Sequence, residues 1–306
     1  MKKLSLFLVL ALSTLIAVAQ NGRIDLRSTS STDLTHSDFN SLRATFNYGS
    51  IESVEVNTER GMFSEIVIEG TYASGEIGTP ELPASHQLLA VPFGATPRVT
   101  ILNYSTTDYR LSDYGIGTLV PRQPSVRKDQ RPEDVEFVYN ANAYQTRSLA
   151  TEPEASIEVQ GTLRGIRVGS LVINPVSYNP ASNTLRVFNN IEVEVSFDGA
   201  DIAETERMLL STYSPYFDII YAQMFNGRAV LDIYTDHPDL YTTPVKMIVI
   251  TNSTYANNTA FQNWVTWKKQ KGIYTTVYNT STTGTSASAI KTFIRNKYNF
   301  FEDSHI

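Results

Sequence analysis

Lys246-Met247-Ile248-Val249-Ile250 is the stretch on which the reading of this chain turns. The apolar run from Met247 to Ile250 has the pattern of a strand buried on both faces. Downstream, Phe261, Trp264, Val265 and Lys268 recur at helical spacing, and the aliphatic stem of Lys268 can lie on the core. Gly272 stands where a helix end favours a left-handed residue. Residues 273–278 read as a second strand, and Ala287, Ile290, Phe293, Ile294 and Tyr298 as a second helical face capped by Ser286. Strand, helix, strand, helix is the opening of an open parallel α/β sheet. Two strands do not complete such a sheet, so the chain to Ile306 reads as part of a longer protein, broken inside its second domain.

At the other end, Lys2 and Lys3 precede an apolar run over residues 4–17, and Ala17-Val18-Ala19 has the small-x-small pattern of a signal peptidase site. The run is shorter than the ~20 apolar residues that span a bilayer. The expectation is a cleaved signal over residues 1–19, with the cut between Ala19 and Gln20. The mature chain is then exported, extracellular or on the cell surface, and not an integral membrane protein. The sequence has 306 residues and no cysteine, which excludes disulfides and cysteine–zinc sites. A net charge of −6 without a long basic run argues against a nucleic-acid partner.

Between these ends the pattern has period two. Ile191-Glu192-Val193-Glu194-Val195-Ser196-Phe197 alternates apolar and polar residues, as a half-buried antiparallel strand does. Similar runs occupy 51–56, 63–69, 86–91, 98–105, 137–140, 157–160, 164–168 and 171–178. Many short strands parted by Gly, Pro and Asn turns predict an antiparallel β-sandwich or jelly roll. Asn179-Pro180-Ala181-Ser182-Asn183 reads as the loop of a hairpin joining 171–178 to 185–188.

Residues 121–132 break the pattern. They read PRQPSVRKDQRP, with three prolines, four basic residues and Val126 as their other apolar residue. No strand or helix is expected there. Two readings stay open: a solvated surface loop, or a loop that presents a basic side chain to a partner site. Further on, Ser214-Pro215 should cap and start a helix with Phe217, Ile220, Tyr221, Met224 and Phe225 on its apolar face. Gly227 is placed to end it, and Arg228 to open a connector to the second domain.

Catalytic chemistry is not legible in the residues alone. His36, His86, His237 and His305 have no ligand spacing, no Ser lies in a nucleophile elbow, and Thr251-Asn252-Ser253-Thr254 after the first α/β strand lacks a glycine-rich phosphate loop. No catalytic residue, metal site or cofactor is identifiable. Glycosylation-type triplets begin at Asn103, Asn252, Asn257 and Asn279. Such short matches arise often by chance.

The residues go further by resemblance. Gly78-Thr79-Pro80-Glu81-Leu82-Pro83, followed by strands 88–92 and 98–102, resembles the prodomain of the gingipain family of cysteine peptidases. Pro175-Val176-Ser177-Tyr178-Asn179-Pro180-Ala181-Ser182-Asn183-Thr184-Leu185-Arg186-Val187 is similar to a later hairpin of that prodomain. The run from Lys246 to Ile250, with Phe261-Gln262-Asn263-Trp264-Val265-Thr266-Trp267-Lys268-Lys269-Gln270-Lys271-Gly272, resembles the opening of the family's catalytic domain. Ala289-Ile290-Lys291-Thr292-Phe293-Ile294 with Lys297-Tyr298 matches its next helix.

The resemblance implies a secreted caspase-like endopeptidase with a Cys nucleophile and a His base, held as a zymogen by its propeptide until proteolysis. Both catalytic residues fall beyond the matched segment, and His305 is not one of them; the chain itself is expected to be inactive. The implied layout is a signal peptide at 1–19, a β-sandwich prodomain at 20–228, a linker at 229–245, and the first βαβα of a caspase-like α/β peptidase domain, truncated, at 246–306. Its partner is the downstream peptidase domain, inhibited intramolecularly. With Phe137-Val138-Tyr139 and Pro132 setting the register, Arg127 or Lys128 would enter a pocket selecting basic side chains. Propeptide processing would fall between Arg228 and Ala229, in an accessible connector. Two alternatives remain at this stage: a cell-surface β-sandwich binding module, which calls for an exposed aromatic cluster, or a sortase-type member of the same family.

Overall fold

The computed structural model describes residues 22–131, 134–235, 237 and 245–302. The expected signal segment with Ala19 and Gln20, and also His305, lie outside the described residues. The chain divides into two compact units. One holds the described residues up to Thr212 together with those from Ile219 to 235. The other holds Tyr213–Asp218 and the described residues from His237 onward.

The first unit is built from antiparallel strands β1 (Arg23–Asp25), β2 (Ser31–Ser37), β3 (Ser41–Asn47), β4 (Ser50–Thr58), β5 (Gly61–Ile68), β6 (Tyr72–Ser74), β7 (Leu82–Val91), β8 (Thr96–Arg110), β9 (Glu154–Leu163), β10 (Ile166–Asn174), β11 (Val176–Asn179) and β12 (Thr184–Asp198). They form sheets in the orders β1-β4-β5, β6-β7-β10-β9 and β11-β12-β3-β2, with β8 paired to β12. The alternation read at 191–197 is met in β12, where Ile191, Val193, Val195 and Phe197 are buried. They join one apolar core with Ile24, Ile51 and Ile68 from the first sheet and Leu89, Leu171 and Ile173 from the second. Each such side chain contributes about 1.5–3 kcal/mol on burial.

Several expectations change in detail. The strand reading begins too late, since β2 and β3 precede residue 51. Residues 185–188 and 191–197 are one strand, β12, with a register shift at Asn189 and Asn190 in the left-handed region at φ 49°. Residues 164–178 divide differently: Arg164 sits in a turn at φ 51°, β10 runs unbroken through Gly169, and the ladder stops at Pro175, which has no N–H to donate. The expected hairpin is present, β11 pairing with β12 from Val176↔Val187 to Asn179↔Thr184. Residues 137–140 are not a strand; the backbone of Val138 is taken by a side chain, as described below.

The helix expected from Ser214 to Gly227 is interrupted. A 3₁₀ turn at Pro215–Phe217 leads into α2 (Asp218–Ala222), which follows α1 (Ile202–Ser211), a helix whose N-cap Asp201 accepts from the Glu204 N–H at 2.9 Å. The chain then leaves helical geometry because the Phe225 N–H donates to Leu88 O at 2.8 Å. Asn226, wholly buried, accepts from the Ala90 N–H at 2.7 Å and donates to Ala90 O at 2.8 Å. Gly227 therefore does not end a helix. It opens α3 (Gly227–Thr235), and its requirement is steric, since a Cβ there would collide with the Tyr221 carbonyl oxygen. Arg228 lies in the first turn of this helix, paired with Asp232 at 2.6 Å, and not in a polar connector.

In the second unit β13 (Lys246–Thr251) and β14 (Tyr274–Asn279) pair in parallel, from Lys246↔Tyr274 to Thr251↔Asn279. Around them come α4 (Ser253–Ala256), α5 (Thr259–Gln270), α6 (Thr280–Thr283) and α7 (Ala287–Glu302). Gly272 takes the expected left-handed conformation at φ 80°. Two of the asparagines that open glycosylation-type triplets, Asn252 and Asn279, accept helix N–H groups at 3.0 and 2.9 Å, which gives these asparagines a capping role at the strand ends. Lys268 holds its ammonium over the rings of Trp264 and Trp267, at 5.5 and 4.8 Å.

Replacing Asn226 with Ala should cost the first unit about 2–4 kcal/mol, because both backbone groups of Ala90 lose their buried partner. Chemical denaturation measures it, and a loss under about 0.5 kcal/mol would contradict the assignment.

Candidate functional site

The basic loop grows from a braced stem. Its incoming arm runs beside β5: Ser64 N–H donates to Thr118 O, and Val120 N–H donates to Ser64 O, both at 2.8 Å. Leu119 is held by two tyrosines, Tyr178 Oη accepting from its N–H at 3.4 Å and Tyr144 Oη donating to its carbonyl at 2.7 Å. Burial, with Tyr139 beside it, pushes the Tyr144 hydroxyl above the ordinary phenol range, so it stays a neutral donor. Burial likewise raises the Tyr178 hydroxyl to about 12.

The Gly78–Pro83 motif supplies the platform. Glu81 N–H donates to Val120 O, Gly78 N–H to Arg122 O and Arg122 N–H to Thr79 O, each at 2.8 Å. The Arg122 guanidinium pairs with the Glu81 carboxylate at 2.9 Å. Gly78 also accepts from Asn140 N–H on the outgoing arm, at 2.9 Å. It is at φ 84°, and a Cβ there would lie 3.0 Å from Val138 Cγ1, so glycine is needed both for conformation and for room.

One side chain ties the two arms. Gln123 donates to Pro121 O and Val138 O and accepts from the Val138 N–H, each at 2.9 Å. Next to this clamp Tyr139 stacks on Tyr144 at 4.5 Å, and both rings approach Phe63 at 6.3 Å. Gln123 was not singled out in the sequence. Its spacing of 15 residues from Val138 carries no local signature.

The tip is exposed. Gln130 N–H donates to Arg127 O at 3.0 Å, a turn that puts Lys128 and Asp129 in its centre. Arg127 is engaged by its neighbour, Nε and Nη2 each 3.1 Å from the Asp129 carboxylate. Arg131 makes the same kind of fork with Asp134 at 2.8–2.9 Å. Lys128, among the described residues, has no hydrogen-bond or ion-pair partner. The arrangement is a cation at the end of a loop whose stem is fixed. Among the described residues no group of His, Asp or Glu is placed to hold a metal ion.

A family model, Propeptide_C25, matches residues 29–214, which takes in the stem, the clamp and the tip. The chain belongs to the Propeptide_C25 family. Lys-gingipain HG66 of Porphyromonas gingivalis is 42% identical over 302 residues, covering 98% of this chain and 17% of that protein. The chain therefore spans about a sixth of that relative's length. A solved chain from work on the zymogenic latency of gingipain K of Porphyromonas gingivalis is 42% identical, with a TM-score of 0.55 over 58% of this chain and 98% of its own. A second, from a complex of the RgpB pro- and mature domains of the same organism, shares the fold at 21% identity and TM-score 0.51, over 65% of this chain and 98% of its own. The described antiparallel sheets thus form a gingipain-type propeptide.

Arg127 and Lys128 lie together at the tip of this Propeptide_C25 loop. Arg228, 78% exposed, belongs to α3 and to no part of the loop site. If the clamp fixes the stem, Gln123→Ala should lower the stability of the first unit by about 1–2 kcal/mol. A denaturation midpoint unchanged from wild type would show that Val138 finds other partners at no cost.

Proposed function

We propose that this chain is the N-terminal part of a secreted gingipain-like cysteine endopeptidase precursor, and that its β unit keeps the downstream peptidase domain inactive. In this reading the parallel pair β13 and β14, with α5 and α7, begins a caspase-like α/β catalytic domain. Lys128 enters the pocket that selects basic side chains, and so occupies the substrate's place.

The observation that carries the reading is the difference between the two neighbouring cations. Arg127 is folded back on Asp129, whereas Lys128 is exposed and, among the described residues, has no hydrogen-bond or ion-pair partner. A lysine brings a compact charge on a flexible stem, suited to a pocket with a carboxylate at its base. The clamp at Gln123 and the proline-stiffened arm lower the ordering cost on docking. Because the stem is fixed, residues after the turn cannot slide into register as a cleavable substrate would.

The propeptide is titrated against the mature peptidase, comparing wild type with Lys128→Ala and Arg127→Ala. Lys128→Ala should raise the inhibition constant by roughly thirty- to a thousandfold, about 2–4 kcal/mol, as a truncated anchor in a filled pocket does. Arg127→Ala should change it by less than about fivefold, or ~1 kcal/mol. If neither variant, nor the two together, exceeds about threefold, ~0.65 kcal/mol, inhibition arises elsewhere on the β unit.

A further inference from the structure

The bond after Arg228 is bracketed by buried anchors on both sides. Upstream, Phe225 is hydrogen-bonded to Leu88 and its ring lies 6.0 Å from that of Phe46, while Asn226 closes on Ala90. Downstream, α3 packs against α1 and β7. Its Val230 is fully buried and its Tyr234 is 8% exposed, with the Tyr221 ring 6.0 Å away. The compact β unit accordingly continues past Arg228 to the end of α3. The bond expected to be processed, after Arg228, and the packing division after α3 do not coincide.

From this offset we propose that α3 is a latch: once the Arg228–Ala229 bond is cut, residues 229–235 stay seated in the β unit and keep the propeptide attached to the peptidase chain they now begin. The proposal rests on the reading of Arg228 as the processing point. Hydrolysis by a peptidase selecting basic residues adds one water across the amide, leaving a carboxylate on Arg228 and an amine on Ala229. That nitrogen already donates to Asn226 O at 3.1 Å and can keep donating as an amine. Nothing in the step removes Val230 or Tyr234 from the core. A helical first turn does not fit an extended-chain cleft, so cutting also waits on local opening of α3. The latch thus acts twice, slowing the cut and delaying release after it.

The test compares two nicked forms of the full-length precursor, each given one cleavable bond by a site-specific protease sequence. In one the bond lies between 228 and 229, so that residues 229–235 remain on the peptidase side. In the other it lies within 238–244, so that they remain on the propeptide side. The first complex should dissociate at least about tenfold less readily, because only there do the buried Val230 and Tyr234 bridge the two chains. Lys128→Ala, added to both, should weaken them by the same factor, separating the loop's contribution from the latch. Equal dissociation of the two nicked complexes within about twofold would overturn the latch. N-terminal sequencing of enzyme from the unaltered precursor checks the processing point separately. A start away from Ala229 would refute that reading, while the nicked pair still decides whether α3 fastens the chains.

Discussion

Three side-chain amides each close on both backbone groups of a single residue, and they hold the β unit at three places where no strand supplies those bonds. Asn189 accepts from the Tyr48 N–H and donates to Tyr48 O, both at 2.8 Å. Asn226 does the same to Ala90, at 2.7 and 2.8 Å. Gln123 does it to Val138, at 2.9 Å in both directions. A buried backbone amide left without a partner costs about 1–3 kcal/mol, and a carboxamide is the one side chain that offers a donor and an acceptor in the geometry of a neighbouring strand. Each clamp stands in for a missing strand.

The consequences reach the functional loop. Because Val138 is paired to a side chain, the outgoing arm needs no strand partner and is free to turn back across Gly78, which fixes Asn140. The stem is rigid for reasons local to it, while the tip with Lys128 stays in water. Rigidity below and exposure above are what a segment needs if it is to fill a pocket with little entropy cost. The clamp at Ala90 has the same logic at the other end of the unit. It pins the chain just ahead of α3, a helix that packs against α1 and β7 within the same unit.

How much of this was legible in the sequence follows from distance along the chain. The alternation in 191–197 is local, and β12 has the burial it implied. In β3 the buried face is Leu42, Ala44 and Phe46, an alternation diluted by the small alanine, and its neighbour β2 is a polar edge strand with no buried residue. The motif Gly78–Pro83 was recognisable as a family feature, yet its role as the loop's platform needed the fold. Asn189 and Tyr48 are 141 residues apart, and Asn226 and Ala90 are 136. In sequence both asparagines look like turn residues. Gly227 departs from its expected role for a related reason: glycine after an apolar helical face signals a helix end, but here the demand is close approach to the Tyr221 carbonyl. The cap at Asp201 with Glu204 was a local signal, Asp-x-x-Glu, and could have been read.

The central claim, that a side-chain clamp fixes the stem of the loop while its tip stays free, is tested most directly by native-state hydrogen exchange of individual amides. The account predicts that the Val138 and Asn140 N–H groups exchange at least about a hundredfold more slowly than those of Lys128 and Asp129, in line with partnered stem groups beside a solvated turn. Exchange of Val138 at the rate of the tip amides would contradict it, and would mean that the loop is mobile down to its base.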